Sequence, residues 1–308
     1  SDVLTWVIGS GGLIGSAIDH RSMQRFDPGP IPWRDDDSAI AKLKQSLEAF
    51  SAQTSGKEWS IIWAAGAGTT ASSENQFERE VSVFSAFLRD LRQVPPNGQG
   101  AFALISSAGG VHAGSPDPPF DEDTQPAPIS PYGRAKLQQE AAAAQTLTGV
   151  LPTLICRVSN AYGPGQDLTK LQGLISRLAL CTYRKEPLHL FVPTSTVRDY
   201  IFTTDIAIRV HAWLDAVHDG QVPTSQVAVI ASGEGTSVAR LVKIAGEVSH
   251  KRIPIAMGSH PSSRNQPLDS RFTPTLIPGH QHLPTTPLPV GVKAVFDDIG
   301  RRLAQAST

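Results

Sequence analysis

Cysteine is nearly absent from this chain. The two present, Cys156 and Cys181, make no disulfide framework; each reads as a small buried apolar residue, and a reducing cytoplasm is the expected setting. No apolar run approaches the roughly 20 residues that a membrane helix needs, and the chain enters a strand at once, with no pattern of a secretory leader. Neither sign of charge is in excess. Lys and Arg number 27 against 28 Asp and Glu, so there is no electrostatic footprint for nucleic acid or another polyanion. Nine histidines come close together only as His280-x-His282, in a Pro-rich stretch without Cys or carboxylate partners, and no metal site is expected. Internal repeats are missing too. What remains is a chain of 308 residues with 40% hydrophobic content, enough for one large α/β domain or a large domain with a smaller lobe.

The stretch around which the chain is organised comes first. Val3 to Ile8 is a β-favouring apolar run that stops at Gly9-Ser10-Gly11-Gly12-Leu13-Ile14-Gly15. Strand, glycine turn and helix form the layout in which backbone approaches a pyrophosphate. Glycine turns sharply and leaves room for a phosphate oxygen, and the start of the following helix supplies N–H donors and a positive field. Gly9, Gly12, Leu13, Ile14 and Gly15 are therefore candidate cofactor-binding residues. A tight turn before an ordinary helix has the same look.

Downstream, Asp27-Pro28-Gly29-Pro30 breaks the first helix, and Ile31-Pro32-Trp33 reads as the second strand, ending at Arg34-Asp35-Asp36-Asp37. An adenosine ribose would be met about 20 residues past the glycines. An acid there favours a free 2′-hydroxyl and an Arg a 2′-phosphate; Arg34 beside Asp35 argues both ways, so the cofactor is NAD or NADP. The acidic run also suits a cap for a helix starting near Ser38. Ser38 to Phe50 has helical spacing. Ser60 to Ala64 is a buried strand ending in Ala65-Gly66-Ala67-Gly68, small residues across which a dinucleotide can lie. Phe77, Val81, Phe84, Leu88 and Leu91 mark a helix, and Ala101 to Ile105 another buried strand. The alternation predicts a doubly wound parallel sheet of Rossmann-like type.

Two further stretches carry chemistry. The strand at Ala101 leads into Ser106-Ser107, and Ser130-Pro131-Tyr132-Gly133-Arg134-Ala135-Lys136 follows. Ser130 is a good N-cap and Pro131 a good first helical residue. That puts Tyr132 in the first turn with Lys136 one turn on, on the same face. A phenol beside an ammonium and a helix start is equipped to exchange a proton with a carbinol while hydride passes to or from nicotinamide. The Ser107 hydroxyl would hold the substrate oxygen. Tyr-x-x-x-Lys by itself also arises on ordinary exposed helix faces.

The order glycine turn, Ser107, Tyr132, Lys136 resembles the extended short-chain dehydrogenase/reductases, the branch of nucleotide-sugar epimerases and dehydratases. Leu154-Ile155-Cys156-Arg157-Val158-Ser159-Asn160-Ala161-Tyr162-Gly163-Pro164-Gly165, Val197-Arg198-Asp199-Tyr200 and Ile230-Ala231-Ser232-Gly233-Glu234-Gly235 are similar to further segments of that family. The resemblance runs from Val3 to about Val248.

It implies an NAD(P)-binding domain over 1–162, with 196–230 returning to it, and a smaller substrate lobe from 163–195 and 231–308. It implies catalysis by Ser107, Tyr132 and Lys136. The cofactor would be held by the glycine turn, Arg34 or Asp35, Ala65, Gly66, Tyr132 and Lys136. A nucleotide-sugar substrate would be held by Ser107, Asn160, Arg198 and Arg264, with Asp199 placed to orient Arg198. A homodimer also fits the family; a nucleic acid or membrane partner is not expected. Departures bear on the reaction. His112 stands where the family has Tyr, either as a donor or acceptor in the sugar site or as part of its rim. The hydroxyl position falls on Ser107 or on Ala108, depending on register. Glu80 stands where Asn is usual. Ala108-Gly109-Gly110 offers no acid pair for dehydration. The expectation is therefore an epimerase working through a keto intermediate; an NADPH-dependent ketoreductase and a cofactor-binding regulator without catalysis are the alternatives.

Overall fold

A computed structural model describes residues 3–66, 72–169, 173–221, 225–258, 266–275, 277, 279 and 282–306. Its strands are β1 (Leu4–Ile8), β2 (Gln24–Arg25), β3 (Trp59–Trp63), β4 (Gly100–Ser107), β5 (Thr153–Val158), β6 (Asn160–Tyr162), β7 (Leu188–Leu190), β8 (Val197–Phe202), β9 (Ser225–Ile230), β10 (Gly235–Ser237), β11 (Ile255–Met257) and β12 (Asp269–Ser270). Its helices are α1 (Leu13–Arg21), α2 (Asp36–Thr54), α3 (Glu74–Gln93), α4 (Ala108–Val111), α5 (Pro131–Leu147), α6 (Leu174–Arg184), α7 (Thr203–His218), α8 (Val238–Ser249) and α9 (Leu288–Ala306).

Six strands in the order β2-β1-β3-β4-β5-β9 form one sheet, and every pairing in it is parallel. β1, β3 and β5 are buried along their whole length, as strands covered on both faces must be. On one face Leu43, Leu47 and Phe50 of α2, Phe84 and Leu88 of α3 and Leu147 of α5 close a core over Trp6, Trp59 and Phe102. On the other, Ile18 of α1 and Ile206, Val210 and Trp213 of α7 pack on Val7, Ile62 and Ala103. The fold is a doubly wound Rossmann-like sheet. A separate core joins α6, α8 and α9 to Tyr162 and Tyr200, beneath a second sheet in which β8 pairs with β6, β10 and β12. No helix among the described residues is long and apolar enough to cross a membrane.

The second strand is not where the sequence places it. It is Gln24–Arg25, paired with Leu4 and Thr5 of β1, while Ile31–Trp33 lies in the turn before α2. α1 has only nine residues, so the chain returns to the sheet edge early. Phe26 then continues the ladder, its N–H donating to Thr5 O at 2.8 Å, and buries its ring on Trp6 and Phe50. An apolar Phe that fills the core fixes the register more firmly than β-propensity at Ile31 can, because Pro30 and Pro32 remove ladder donors.

The glycine turn is shaped by backbone contact. Gly9 has φ +95°, and a Cβ on it would sit 2.6 Å from Ala65 N. A Cβ on Gly15 would overlap the Gly9 carbonyl. The first turn of α1 therefore lies directly on the loop, and the loop on the end of β3. Gly15→Ala should force α1 away from that loop and cost about 1–3 kcal/mol, the usual range for overpacking. Urea unfolding checks this; an unchanged midpoint would show that the contact can relax freely.

Candidate active site

The sheet order reverses between β1 and β3, and the carboxyl ends of strands at such a switch point are where open α/β sheets bind ligands. Gly9, Gly12 and the N-terminus of α1 (Leu13, Ile14, Gly15) form one wall there, and Ala65 and Gly66 after β3 the other. Gly12 is the N-cap of α1 and brings no side-chain cap, and a side chain at Gly11 would meet open space. The helix start is thus left clear for an anion. The residues present fit a dinucleotide pyrophosphate.

Across the cleft, Ser130 caps α5 by accepting the Gly133 N–H at 3.0 Å, with Pro131 at the first position. Tyr132 and Lys136 then share one face. Lys136 Nζ stands 5.9 Å from the centroid of the Tyr132 ring and donates to Ile105 O at 3.4 Å and Gln139 Oε1 at 3.3 Å. Phe77 of α3 packs on the far side of Tyr132, its ring centroid 6.0 Å away. Gly66, Phe77, Glu80, Tyr132, Lys136 and Gln139 line a cleft of about 50 Å³.

Ser107 joins them through Gly110. A Cβ on Gly110 would lie 3.0 Å from Tyr132 Cε1 and 3.2 Å from Ser107 Oγ. Ser107 Oγ also accepts the Gly110 N–H at 3.1 Å, capping α4. Ala108 is fully buried in a small core with Phe120 and Phe272. The hydroxyl that faces Tyr132 is therefore that of Ser107. Sequence and structure agree on bringing Ser107, Tyr132, Lys136 and Gly66 together.

Behind this triad lies a buried polar chain that sequence reading missed. Arg157 of β5 and Glu140 of α5 pair at 2.7 Å, both side chains under a tenth exposed. Ser106 Oγ donates to Glu140 at 2.6 Å. Arg157 Nη1 meets His112 Nε2 at 3.3 Å, and His112 Nδ1 meets Ser115 Oγ at 3.2 Å. The guanidinium can only donate, so His112 accepts at Nε2 and carries its proton on Nδ1. His112 is thus a buried, neutral link stacked on Phe120, and neither a sugar-site group nor part of the rim. The signal was available: Glu140 falls four residues after Lys136, on the same helix face.

Arg198 lies half-buried in β8, donating to Val197 O at 3.0 Å. Burial pulls its guanidinium below the ordinary value, against the opposing charges of Tyr200 and Asp269. Asp199 does not orient it. Neighbouring strand residues point to opposite faces, and Asp199 turns inward to accept from Ser159 Oγ at 2.6 Å, Ser232 N at 3.0 Å and Gly233 N at 2.8 Å. Asn160 is fixed beside it by donating to Asp199 O at 2.8 Å. Arg34 is exposed at the start of α2, and Asp35 is that helix's N-cap, accepting from Ser38 N at 2.9 Å. Arg79 of α3 pairs with Asp36 at 2.9 Å and reaches the Arg34 carbonyl at 3.3 Å. The acid that follows β2 is Asp27, exposed, with its Oδ1 accepting from Gly29 N at 2.8 Å. Arg264, His280, Ala67 and Gly68 lie outside the described residues, among which no cluster of three or more potential metal ligands occurs.

A switch-point glycine turn facing Ser107, Tyr132 and Lys136 is the arrangement of the extended short-chain dehydrogenase/reductases. The chain belongs to the NAD dependent epimerase/dehydratase family, whose model matches residues 6–230; NAD is the cofactor of that family. It is 31% identical over 123 residues to the dTDP-L-rhamnose 4-epimerase of Burkholderia thailandensis, covering 39% of this chain and 33% of that protein. It is 28% identical over 143 residues to the dTDP-4-dehydro-6-deoxyglucose reductase of Escherichia coli, covering 46% and 43%. The chain thus aligns with less than half the length of either relative. The UDP-glucose 4-epimerase of Thermus thermophilus, solved with NAD, superimposes with a TM-score of 0.77 at 19% identity, covering 97% of this chain and 98% of that one. That likeness establishes the fold.

Burial, with the Arg157 charge adding to it and Asp121 opposing, holds His112 down at about 4 from an ordinary 6.5. A depressed folded value means the unfolded chain takes up the proton first. Stability present above pH 6.5 is then lost as pH falls toward 4, by roughly 2 kcal/mol between pH 7 and 5. His112→Gln can keep an acceptor for Arg157 and a donor for Ser115, and should flatten that slope. Equal slopes for the two proteins in pH-dependent urea unfolding would show that His112 is not the group responsible.

Proposed function

We propose that this protein is an NAD(P)-dependent enzyme acting on a nucleotide-diphosphate sugar, epimerising a carbinol carbon through a keto intermediate. The observation that carries the reading is that Tyr132 and Lys136 line one cleft at the switch point, with Ser107 beside Tyr132 across Gly110. A bound nicotinamide supplies reversible hydride exchange with a carbinol carbon. Tyr132 takes the carbinol proton and later returns it. Lys136 provides the positive charge facing the phenol and a donor for a ribose hydroxyl, and Ser107 holds the substrate oxygen. Gly9, Gly12, Leu13, Ile14 and Gly15 would hold the pyrophosphate, with Ala65 opposite them and Gly66 further along the same wall, toward Tyr132 and Lys136, where the nicotinamide half would lie. Asn160 and Arg198 would hold the nucleotide-sugar diphosphate: the Arg198 guanidinium is half-desolvated, and its fork suits phosphate oxygens. Residues 1–162 and 196–230 would form the cofactor half, and 163–195 with 231–308 the lobe over the sugar.

Ketoreduction is the second reading, favoured by the exposed Arg34 just before α2, whose guanidinium suits a 2′-phosphate. Asp27 argues the other way. It follows β2 directly, where a carboxylate accepts ribose hydroxyls and repels a phosphate.

Tyr132→Phe keeps the packing on Phe77 and removes only the hydroxyl. It should leave folding and cofactor affinity intact while lowering turnover about 10²- to 10⁴-fold, measured with NDP-hexoses and NAD. Near-full turnover would sink the assignment. Asp27→Asn should weaken NAD about ten- to a hundredfold, the worth of one charge-assisted contact, and narrow its preference over NADP. If instead Arg34→Ala selectively loses NADP and Asp27→Asn changes nothing, Arg34 chooses the cofactor and the ketoreductase reading gains.

A further inference from the structure

Glu80 is the carboxylate lining the Tyr132–Lys136 cleft, and the proposed chemistry leaves it without a task. It projects from α3, one turn after Phe77, which packs on Tyr132. The point a Cβ on Gly66 would occupy lies 3.8 Å from Glu80 Oε2 and 3.6 Å from Lys136 Nζ. Carboxylate and ammonium therefore flank the same side-chain-free strip at the end of β3, where the nicotinamide half of a cofactor would lie on the reading above. We propose that Glu80 sets the redox preference of the bound cofactor, holding the oxidised form more tightly than the reduced one.

The physical reason is charge. The oxidised nicotinamide ring carries a formal positive charge and the reduced ring none, so a carboxylate at the strip stabilises the first and is indifferent to the second. Lys136 lies close by with the opposite sign, but it is present whether or not Glu80 is. Removing the carboxylate makes the local field more positive in either case, and the direction of the effect does not depend on Lys136. One charge at the width of this cleft, at an effective dielectric of about 20, corresponds to roughly a three- to thirtyfold bias between the two forms after partial screening. Such a bias suits an enzyme that must begin each cycle with the oxidant in place, as an epimerase does.

The inference rests on the proposed NAD(P) reading, and binding separates the two. Dissociation constants for NAD+ and NADH are measured by calorimetry on the wild-type protein, on Glu80→Gln and on Glu80→Asp, with thermal unfolding to confirm that all three fold. Glu80→Gln should shift the ratio of the two constants by about three- to thirtyfold toward NADH, while Glu80→Asp, which keeps the charge, should stay within about twofold of wild type. A ratio unchanged in Glu80→Gln, or shifted equally in both variants, overturns the redox role and leaves the enzyme reading standing. A folded wild-type protein that binds neither form overturns the enzyme reading and this inference with it.

Discussion

The candidate site depends on one buried ion pair. Arg157 on β5 and Glu140 on α5 face each other almost free of solvent, and two guanidinium nitrogens reach the same carboxylate. Taking both charges out of water costs several kcal/mol each, and only close geometry with further hydrogen bonds offsets that. Ser106 on β4 and His112 after α4 supply those bonds. A weak fit would leave a buried charge uncompensated, so the pair tolerates little movement. It thereby fixes α5 in height and rotation against the sheet, and α5 carries Tyr132 and Lys136. Ser106 and Ser107 divide the work at the end of β4: one turns back into the ion pair, the other faces the cleft.

The inward carboxylates of the second sheet act similarly. Asp199 gathers the ends of β5 and β9 through Ser159, Ser232 and Gly233. Desolvation pushes its carboxyl upward, and the hydrogen bonds from Ser159, Ser232 and Gly233 oppose it. Asp205, three residues past β8, accepts from the Thr286 N–H and hydroxyl, tying the chain before α9 to the start of α7. The segments carrying Asn160 and Arg198 are thus bound to the six-stranded sheet by side chains.

How much of this was legible in the sequence follows the range of the forces involved. Local signals read true: the glycine turn, the Ser130 cap with Pro131, the spacing of α3 and the pairing of Tyr132 with Lys136 are set within one or two turns of chain. The second strand did not read true, because its place depends on a short α1 and on Phe26 finding Trp6 and Phe50 across the core. That error set Arg34 and Asp35 at the end of a strand they do not follow, and passed over Asp27, which comes after the strand that is there. Asp199 and His112 misled for another reason. Their partners, Ser232 and Arg157, stand 33 and 45 residues away in the chain, and a polar residue in a motif gives no sign of which way its strand or helix will turn it.

Gly133, the residue after Tyr132, lies with its α-carbon against the Gly110 carbonyl, so tightly that a methyl group there would overlap it. Gly110 in turn faces the Tyr132 ring and Ser107 Oγ on its open side. A side chain at Gly133 would drive α5 off α4, and one at Gly110 would press on the Tyr132 ring and Ser107 Oγ. Both positions are therefore short of space even though neither carries a functional group. A change of specificity has to be built around that seam, because Gly133 sets how closely α5 approaches α4.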